Sequence, residues 1–457
     1  MSAETPPVVA TRAVLEELLE LVERGDLTGL PALLAEMHPS DIADLLASVP
    51  SEDRRLEVLK ALPTEVASET LAEMEEDEDR AELLAELGVR RGAELLQELA
   101  DDDAADLLGE LEPGDRDRIL AALPSEEAGE IRELLRYDEE TAGGLMTTSL
   151  VSVATTATAA QAIAEIREKG REVEEFYTVF VVDRGGRLEG TVPLDDLILA
   201  DPGDTVRSLV VPVPATVFPD TDQEEVGRVM GRYNLVNIPV VNEEGALLGR
   251  ITFDDVIDVI EAETTEDILR LAGVSDEEEL KGGWLDSVRS RLPWLVLNLV
   301  TAGVAASVIL RFEELISRFV FLAFLMPVIA ALGGNTGTQA LAVTIRRIAV
   351  GDELPGGRFQ VVGKEVLVGL LNGFVLGLVF ALFAYVYVPE DGLRIGVVVL
   401  LAMWANIVVA GFAGALIPTV LKRLGVDPAV ASSVFVHTLT DLVGFIMVLS
   451  LAWGLLS

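Results

Sequence analysis

The sequence predicts a multidomain membrane protein: an α-helical superhelical N domain, a tandem α/β pair, a connecting helix and a five-helix transmembrane domain. Three observations predict it. Five long, almost uncharged stretches follow residue 284. A strand, turn, strand, helix unit occurs twice, 59 residues apart. Charge is segregated: residues 284–457 hold 10 acids and 11 bases, and residues 1–283 hold the remaining 67 acids and 23 bases.

The chain has 457 residues, a formal net charge of −43 and no cysteine. Disulfides and thiolate metal sites are therefore excluded. The acidic half repels nucleic acid and anionic lipid and concentrates cations, so no nucleic-acid partner is expected. Much of that charge equally suits plain solubility. Residues 1–11 contain neither a basic n-region nor an apolar h-region, so no cleavable signal peptide is expected.

Residues 1–136 read as an acidic domain of short helices. Five starts share one form, proline, then Ser, Thr or Gly, then an acid: Pro39-Ser40-Asp41, Pro50-Ser51-Glu52, Pro63-Thr64-Glu65, Pro113-Gly114-Asp115 and Pro124-Ser125-Glu126. Proline suits the first helical turn and acids complement its dipole. Neighbouring starts 11 to 13 residues apart suggest stacked helical hairpins, a small solenoid.

Residues 137–263 contain the repeat. Val181-Val182-Asp183-Arg184-Gly185-Gly186-Arg187-Leu188-Glu189-Gly190 leads to Leu194-Asp195-Asp196-Leu197-Ile198. The second copy, Val240-Val241-Asn242-Glu243-Glu244-Gly245-Ala246-Leu247-Leu248-Gly249, leads to Phe253-Asp254-Asp255-Val256-Ile257. An amphipathic helix precedes each copy, over 159–167 and Gln223–Tyr233. The pattern resembles a tandem pair of CBS domains. Residues 264–290 read as an acidic connecting helix joining that pair to the membrane.

The uncharged stretches are 292–310, 319–345, 366–389, 395–421 and 428–457, the last broken only by Asp441. Each is long enough for a hydrocarbon core of about 30 Å. Arg289, Arg291, Arg346, Arg347, Arg358, Lys364, Lys422 and Arg423 all fall on one side if the N-terminus is cytoplasmic, which puts the C-terminus outside.

Asp441 carries the functional expectation. An ionisable residue in a span faces a bundle interior or a wet pathway, and no Lys or Arg lies in the membrane core to pair with it. Ala429, Ser433, His437, Thr440, Asp441 and Gly444 fall on or near one helical face. Hydroxyls, backbone carbonyls and one carboxylate suit a hard divalent ion that keeps its water. The alternative is a salt-bridged or protonated structural acid. His437, four residues before Asp441, either hydrogen-bonds the acid or makes a helix contact; one imidazole alone is a poor zinc site. In the second span, Pro327 precedes Gly333-Gly334-Asn335-Thr336-Gly337-Thr338-Gln339. Asn335 and Gln339 line a cavity or, with Gly333 and Gly337, the run packs helices. Gly369, Gly373 and Gly377 read as a packing stripe, and Asn406 is open to either role.

Taken together, these parts resemble the MgtE family of magnesium channels and transporters. The motifs that carry the likeness are Pro327 with the Gly333–Gln339 run, and Gly425-Val426-Asp427-Pro428-Ala429 followed by Thr438, Asp441 and Gly444. The resemblance implies a homodimer in the plasma membrane with Asp441 of each subunit holding hydrated Mg²⁺, and Gly333, Asn335, Gln339, Ala429, Ser433 and His437 as pore-lining candidates. It implies closure when cytoplasmic Mg²⁺ binds Glu224, Asp255, Asp258, Glu263, Glu266, Asp267 and Asp427, with Glu69 and Asp102 as looser matches. Like charges crowded at an interface repel, and bridging cations then act as a ligand for the closed state. Departures from the pattern are Asn234, Ser433-Val434 and His437.

Gly249-Arg250-Ile251-Thr252-Phe253-Asp254-Asp255 also resembles the segment by which some CBS domains hold adenine nucleotides, making Thr252 and Asp255 candidates for ATP; Pro193 stands where Thr252 would in the first copy. Competing readings are transport of Co²⁺, Mn²⁺ or Ca²⁺, and a membrane-tethered sensor. An intramembrane enzyme using Asp441 and His437 lacks a second catalytic group, and no H-E-x-x-H, P-loop or cysteine nucleophile is present. The protein is therefore not expected to be an enzyme.

Overall fold

The computed structural model describes residues 18–22, 30–34, 37–75, 79–170, 173, 176, 178–274, 284–349, 358–388, 391–424 and 432–456. Asp427 and Ala429 lie outside the described residues. The chain divides into two units, Met1–Ile260 and Glu261–Ser457.

The first unit begins with short helices: α1 (Leu30–Leu34), α2 (Pro39–Ala47), α3 (Glu52–Ala61), α4 (Thr64–Ala72), α5 (Arg80–Leu87), α6 (Val89–Leu96), α7 (Asp101–Gly109), α8 (Pro113–Leu120) and α9 (Glu127–Leu134). Each of the five proline-led starts opens a helix within three residues of its proline. Asp41, Glu52, Glu65, Asp115 and Glu127 lie in first turns, where backbone N–H groups favour negative charge. Helices pack on the next but one, α2 on α4, α3 on α5, α4 on α6 and α6 on α8, which produces the superhelix. Its core is leucine-rich, with Leu34, Leu46, Leu59, Leu71, Leu83 and Leu84 fully buried. Arg80 ties the turns together. Its Nε donates to Glu110 at 2.8 Å and its Nη1 to the Met74 carbonyl at 2.8 Å.

The α/β pair follows. Strands β1 (Ser152–Ala154), β2 (Thr178–Val182) and β3 (Leu188–Pro193) form one sheet, parallel between β1 and β2 and antiparallel between β2 and β3. Helix α10 (Ala159–Lys169) starts at a capping box between Thr158 and Gln161. Helices α11 (Leu194–Leu199) and α12 (Val206–Leu209) complete the copy. The second copy has α13 (Gln223–Tyr233) and antiparallel strands β4 (Asn237–Val241) and β5 (Leu247–Thr252). The repeat extends to detail: both hairpins shift register, at Val181/Val182 and Val240/Val241, and both turn on a glycine of positive φ, Gly186 and Gly245. The turns bond to each other, Leu188 N–H to the Gly245 carbonyl at 3.0 Å and Leu247 N–H to that of Gly186 at 3.1 Å. Asn234 ends α13 at φ +52°, a left-handed position that asparagine tolerates better than most residues.

Helix α14 (Phe253–Ala272) runs without interruption from the second copy into the connecting segment, through residue 264 where the sequence pattern suggested a boundary. In the second unit its Leu271 packs on Leu341 and Ile345.

Among the described residues five helices are long and apolar enough to cross a membrane: α15 (Trp284–Leu310), α17 (Phe321–Ala349), α18 (Arg358–Tyr387), α19 (Gly392–Arg423) and α20 (Ser432–Leu456); α16 (Glu313–Arg318) is a short connection. The first helix starts earlier than its uncharged stretch, carrying Arg289 and Arg291 inside it. Helix α19 is central and packs on α17, α18 and α20. The Gly369, Gly373 and Gly377 stripe is packing: a Cβ there would come within 3.0, 3.1 and 2.9 Å of the Ile407, Trp404 and Leu400 carbonyl oxygens.

Candidate functional site

Helix α20 presents two different faces. Thr440 is fully buried and Gly444 is buried, turned toward α17 and α19. Between those helices sits Asn406 of α19, also fully buried, whose Nδ2 donates to the Ile329 carbonyl of α17 at 2.9 Å. A Cβ at Gly333 would collide with that Nδ2, and one at Gly444 would lie 3.2 Å from it. A Cβ at Gly337 would collide with a Val436 methyl. Gly333 and Gly337 thus let α17 close onto α19 and α20, and Asn406, ambiguous in sequence, is the wedge between three helices.

The other face carries polar groups left open. Asp441 is half-buried, and His437 is exposed. On α17, Asn335 and Gln339 are both exposed on one face, four residues apart. Among the described residues Asp441 has no hydrogen bond and no Lys or Arg partner; the His437 ring lies within electrostatic reach. Ser433 is nearly buried, and its carbonyl accepts from His437 Nδ1 at 2.8 Å. Thr438 and Thr440 donate to the carbonyls of Val434 and His437, at 2.7 and 2.9 Å, so their oxygens keep lone pairs free to accept. Exposed amides, an imidazole and a carboxylate at membrane depth require protein or water over them rather than lipid.

The first unit holds a second concentration of acids, where α7 meets the α/β pair. Asp101 accepts from Thr147 Oγ1 at 2.5 Å, from Thr148 N–H at 3.0 Å and from the Thr148 hydroxyl. The next residue, Asp102, is only 8% exposed, and its Oδ1 has no hydrogen-bond partner among the described residues. Burial, then the charges of Asp103, Asp255 and Asp101, hold its carboxyl well above the usual range. Burial, then Asp103, pushes Asp106 up to about 7, against the pull of Arg80. Asp255 in the first turn of α14 is raised by burial, with Asp254 and Asp258 adding to it, although Thr252 bonds it through both backbone N–H and hydroxyl. An orphaned buried carboxylate oxygen among like charges fits a hard divalent cation that retains water. Among the described residues no three carboxylates or imidazoles lie close enough to cage an ion directly. Such a cation would therefore be bound by one or two acids and its own water.

The remaining sequence candidates are spread over these elements. Glu224 sits in the first turn of α13, its N–H on Asp222 Oδ1 at 2.9 Å. Asp258, Glu263, Glu266 and Asp267 follow Asp255 along α14, and Glu266 pairs with Arg270. Glu69 lies on α4. Sequence reasoning missed Asp101, Asp103 and Asp106, which look like any solvated acidic run until α7 is packed. It also missed Glu365, 8% exposed at the start of the third span.

These parts define a membrane transporter whose five apolar helices follow a helical domain and a tandem α/β pair. The profile described as "Divalent cation transporter" matches residues 326–451, that of the "MgtE intracellular N domain" matches 37–140, and that of the CBS domain matches 142–203 and 206–262. The chain is 39% identical to "Magnesium transporter MgtE" of Thermus thermophilus over 95% of this chain and 97% of that one, and 37% identical to that of Enterococcus faecalis over 95% of each. A solved structure described as the cytosolic domain of the Mg²⁺ channel MgtE in complex with ATP aligns with 54% of this chain and 99% of its own, at 38% identity and a TM-score of 0.50. The chain belongs to the MgtE family of magnesium transporters, which is not a class of enzymes.

Proposed function

We propose that this protein conducts Mg²⁺ into the cell across the plasma membrane and closes when cytoplasmic Mg²⁺ binds its acidic sensor. The observation that carries the reading is Asp441: a half-buried membrane carboxylate with no cationic partner among the described residues, on a face shared with open polar groups. A hydrated Mg²⁺ surrenders water reluctantly, so one carboxylate with surrounding carbonyls and amides is a suitable lining. The work is done by a homodimer, each subunit contributing one Asp441, with the N-terminus cytoplasmic and the C-terminus outside; the placement of the basic residues supports that orientation.

Closure follows from electrostatics. Burial, and then the like charges around them, raise the proton affinity of Asp102, Asp106 and Asp255. Bridging Mg²⁺ removes that repulsion and favours the closed state, and Glu69, Glu224, Asp258, Glu263, Glu266, Asp267 and Asp427 extend the same chemistry. ATP binds at the second α/β copy beside Thr252 and Asp255, a reading supported by the ATP complex of a similar cytosolic domain. The test is Mg²⁺ flux through purified protein in liposomes. Asp441→Ala is expected to abolish it while the protein still assembles; undiminished flux overturns the pore assignment.

A further inference from the structure

His437 is unexplained by magnesium chemistry, and its geometry is specific. Its Nδ1 lies 2.8 Å from the carbonyl oxygen of Ser433. A carbonyl can only accept, so Nδ1 carries a proton, and in the neutral form of the ring the lone pair is on Nε2. Ligating histidines are oriented this way, one ring nitrogen donating to a backbone carbonyl and the other offered to the metal. Nε2 has no hydrogen-bond partner among the described residues, and His437 is exposed. Its Cδ2–Nε2 edge lies over Gly334, where a Cβ would come within 3.0 Å of Cδ2 and 3.2 Å of Nε2. A side chain at Gly334 would press on that edge. One turn further along α20, on the same side, stands Asp441.

We propose that His437 is a specificity-determining residue, giving the conduit beside Asp441 a nitrogen donor that favours first-row transition-metal dications, Ni²⁺ among them, relative to Mg²⁺. The inference rests on the pore reading of Asp441. Imidazole raises affinity for Co²⁺, Ni²⁺ and Zn²⁺ and adds little for Mg²⁺, which prefers oxygen and water. Sites of one imidazole and one carboxylate, completed by water, hold such ions without a three-residue cage. A permeating Mg²⁺ passes, whereas Ni²⁺ lingers and blocks.

The test uses the full-length protein in liposomes and the metals alone. The Ni²⁺ concentration that halves Mg²⁺ flux is measured relative to the Mg²⁺ concentration that half-saturates it, for the unsubstituted protein, His437→Ala and His437→Gln. The ratio is expected to rise about tenfold or more in both variants, the usual scale for loss of a positioned metal partner. An unchanged ratio overturns the proposal. Should neither variant carry flux, pulsed paramagnetic resonance of the unsubstituted protein with Mn²⁺ decides: imidazole nitrogen coupling supports the proposal, and its absence overturns it. The two readings fail differently. Undiminished Mg²⁺ flux in Asp441→Ala removes the pore assignment, whereas Asp441-dependent flux with a His437-independent ratio removes only this one.

Discussion

Asn406 reaches from the fourth span to the Ile329 carbonyl of the second, 2.9 Å away, through a space that Gly333 and Gly444 leave open. Three helices meet at one amide, and its Oδ1 has no partner among the described residues. The alignment of Asp441, next to fully buried Thr440, depends on how closely those helices approach.

Gly333→Ala drives a methyl into Asn406 Nδ2, so something must shift. Overpacking of this kind costs about 1–3 kcal/mol. A lower unfolding temperature in detergent and reduced flux are expected, whereas Gly303→Ala, with nothing within 4 Å, is expected to be close to neutral in both measurements.

The raised carboxyls make the cation-free first unit sensitive to pH. Their folded-state pKa values lie above the ordinary aspartate value near 4, so the folded unit binds more protons than the unfolded chain between about 4 and about 7, the value for Asp106. Stability therefore falls as pH rises through that window. Thermal unfolding in chelator is expected at a higher temperature at pH 5.5 than at pH 8. Asp106→Asn is expected to stabilise at pH 8, by on the order of 2 kcal/mol, and to do little at pH 5. Equal midpoints at both pH values contradict this account.

Mg²⁺ affinity of the same acids is expected to rise with pH, because binding must displace protons. Neutralising Asp255, Glu263 and Asp267 together is expected to leave flux running at high internal Mg²⁺, with the closing concentration raised roughly tenfold or more. Ordinary closure in that triple variant removes the sensor assignment.

Asp101 is a different kind of acid, since hydroxyl and amide donors satisfy it. Asp101→Ala strips the Thr147–Thr148 corner of its acceptor, a loss of about 1.5–3 kcal/mol for hydrogen bonds to a charged group. Faster proteolysis between α7 and β1 in saturating Mg²⁺ is the expected reading, and Asp101→Asn is expected to recover part of the protection.

Much of the fold was legible in the sequence. Helix starts followed from proline and acids at helical phase, the α/β repeat from its glycine turns, and the spans from hydropathy. The first span was placed late because Arg289 and Arg291 look like its edge, although long basic side chains can extend to water from within a helix. The candidate site was legible where a single residue broke a pattern, as Asp441 does. It was not legible where the signal lay in burial: nothing in the run Asp101-Asp102-Asp103 says which acid is capped by threonines and which keeps an oxygen without a partner. The tautomer of His437 was equally beyond reach, since it depends on the carbonyl opposite Nδ1.

The crossed bonds between the Gly186 and Gly245 turns have a practical consequence for anyone dissecting this protein. Each hairpin tip completes the other, so a chain cut between the two copies would leave both halves with unmet peptide groups and a raw edge inviting self-association. The pair should therefore be moved, swapped or grafted only as one piece.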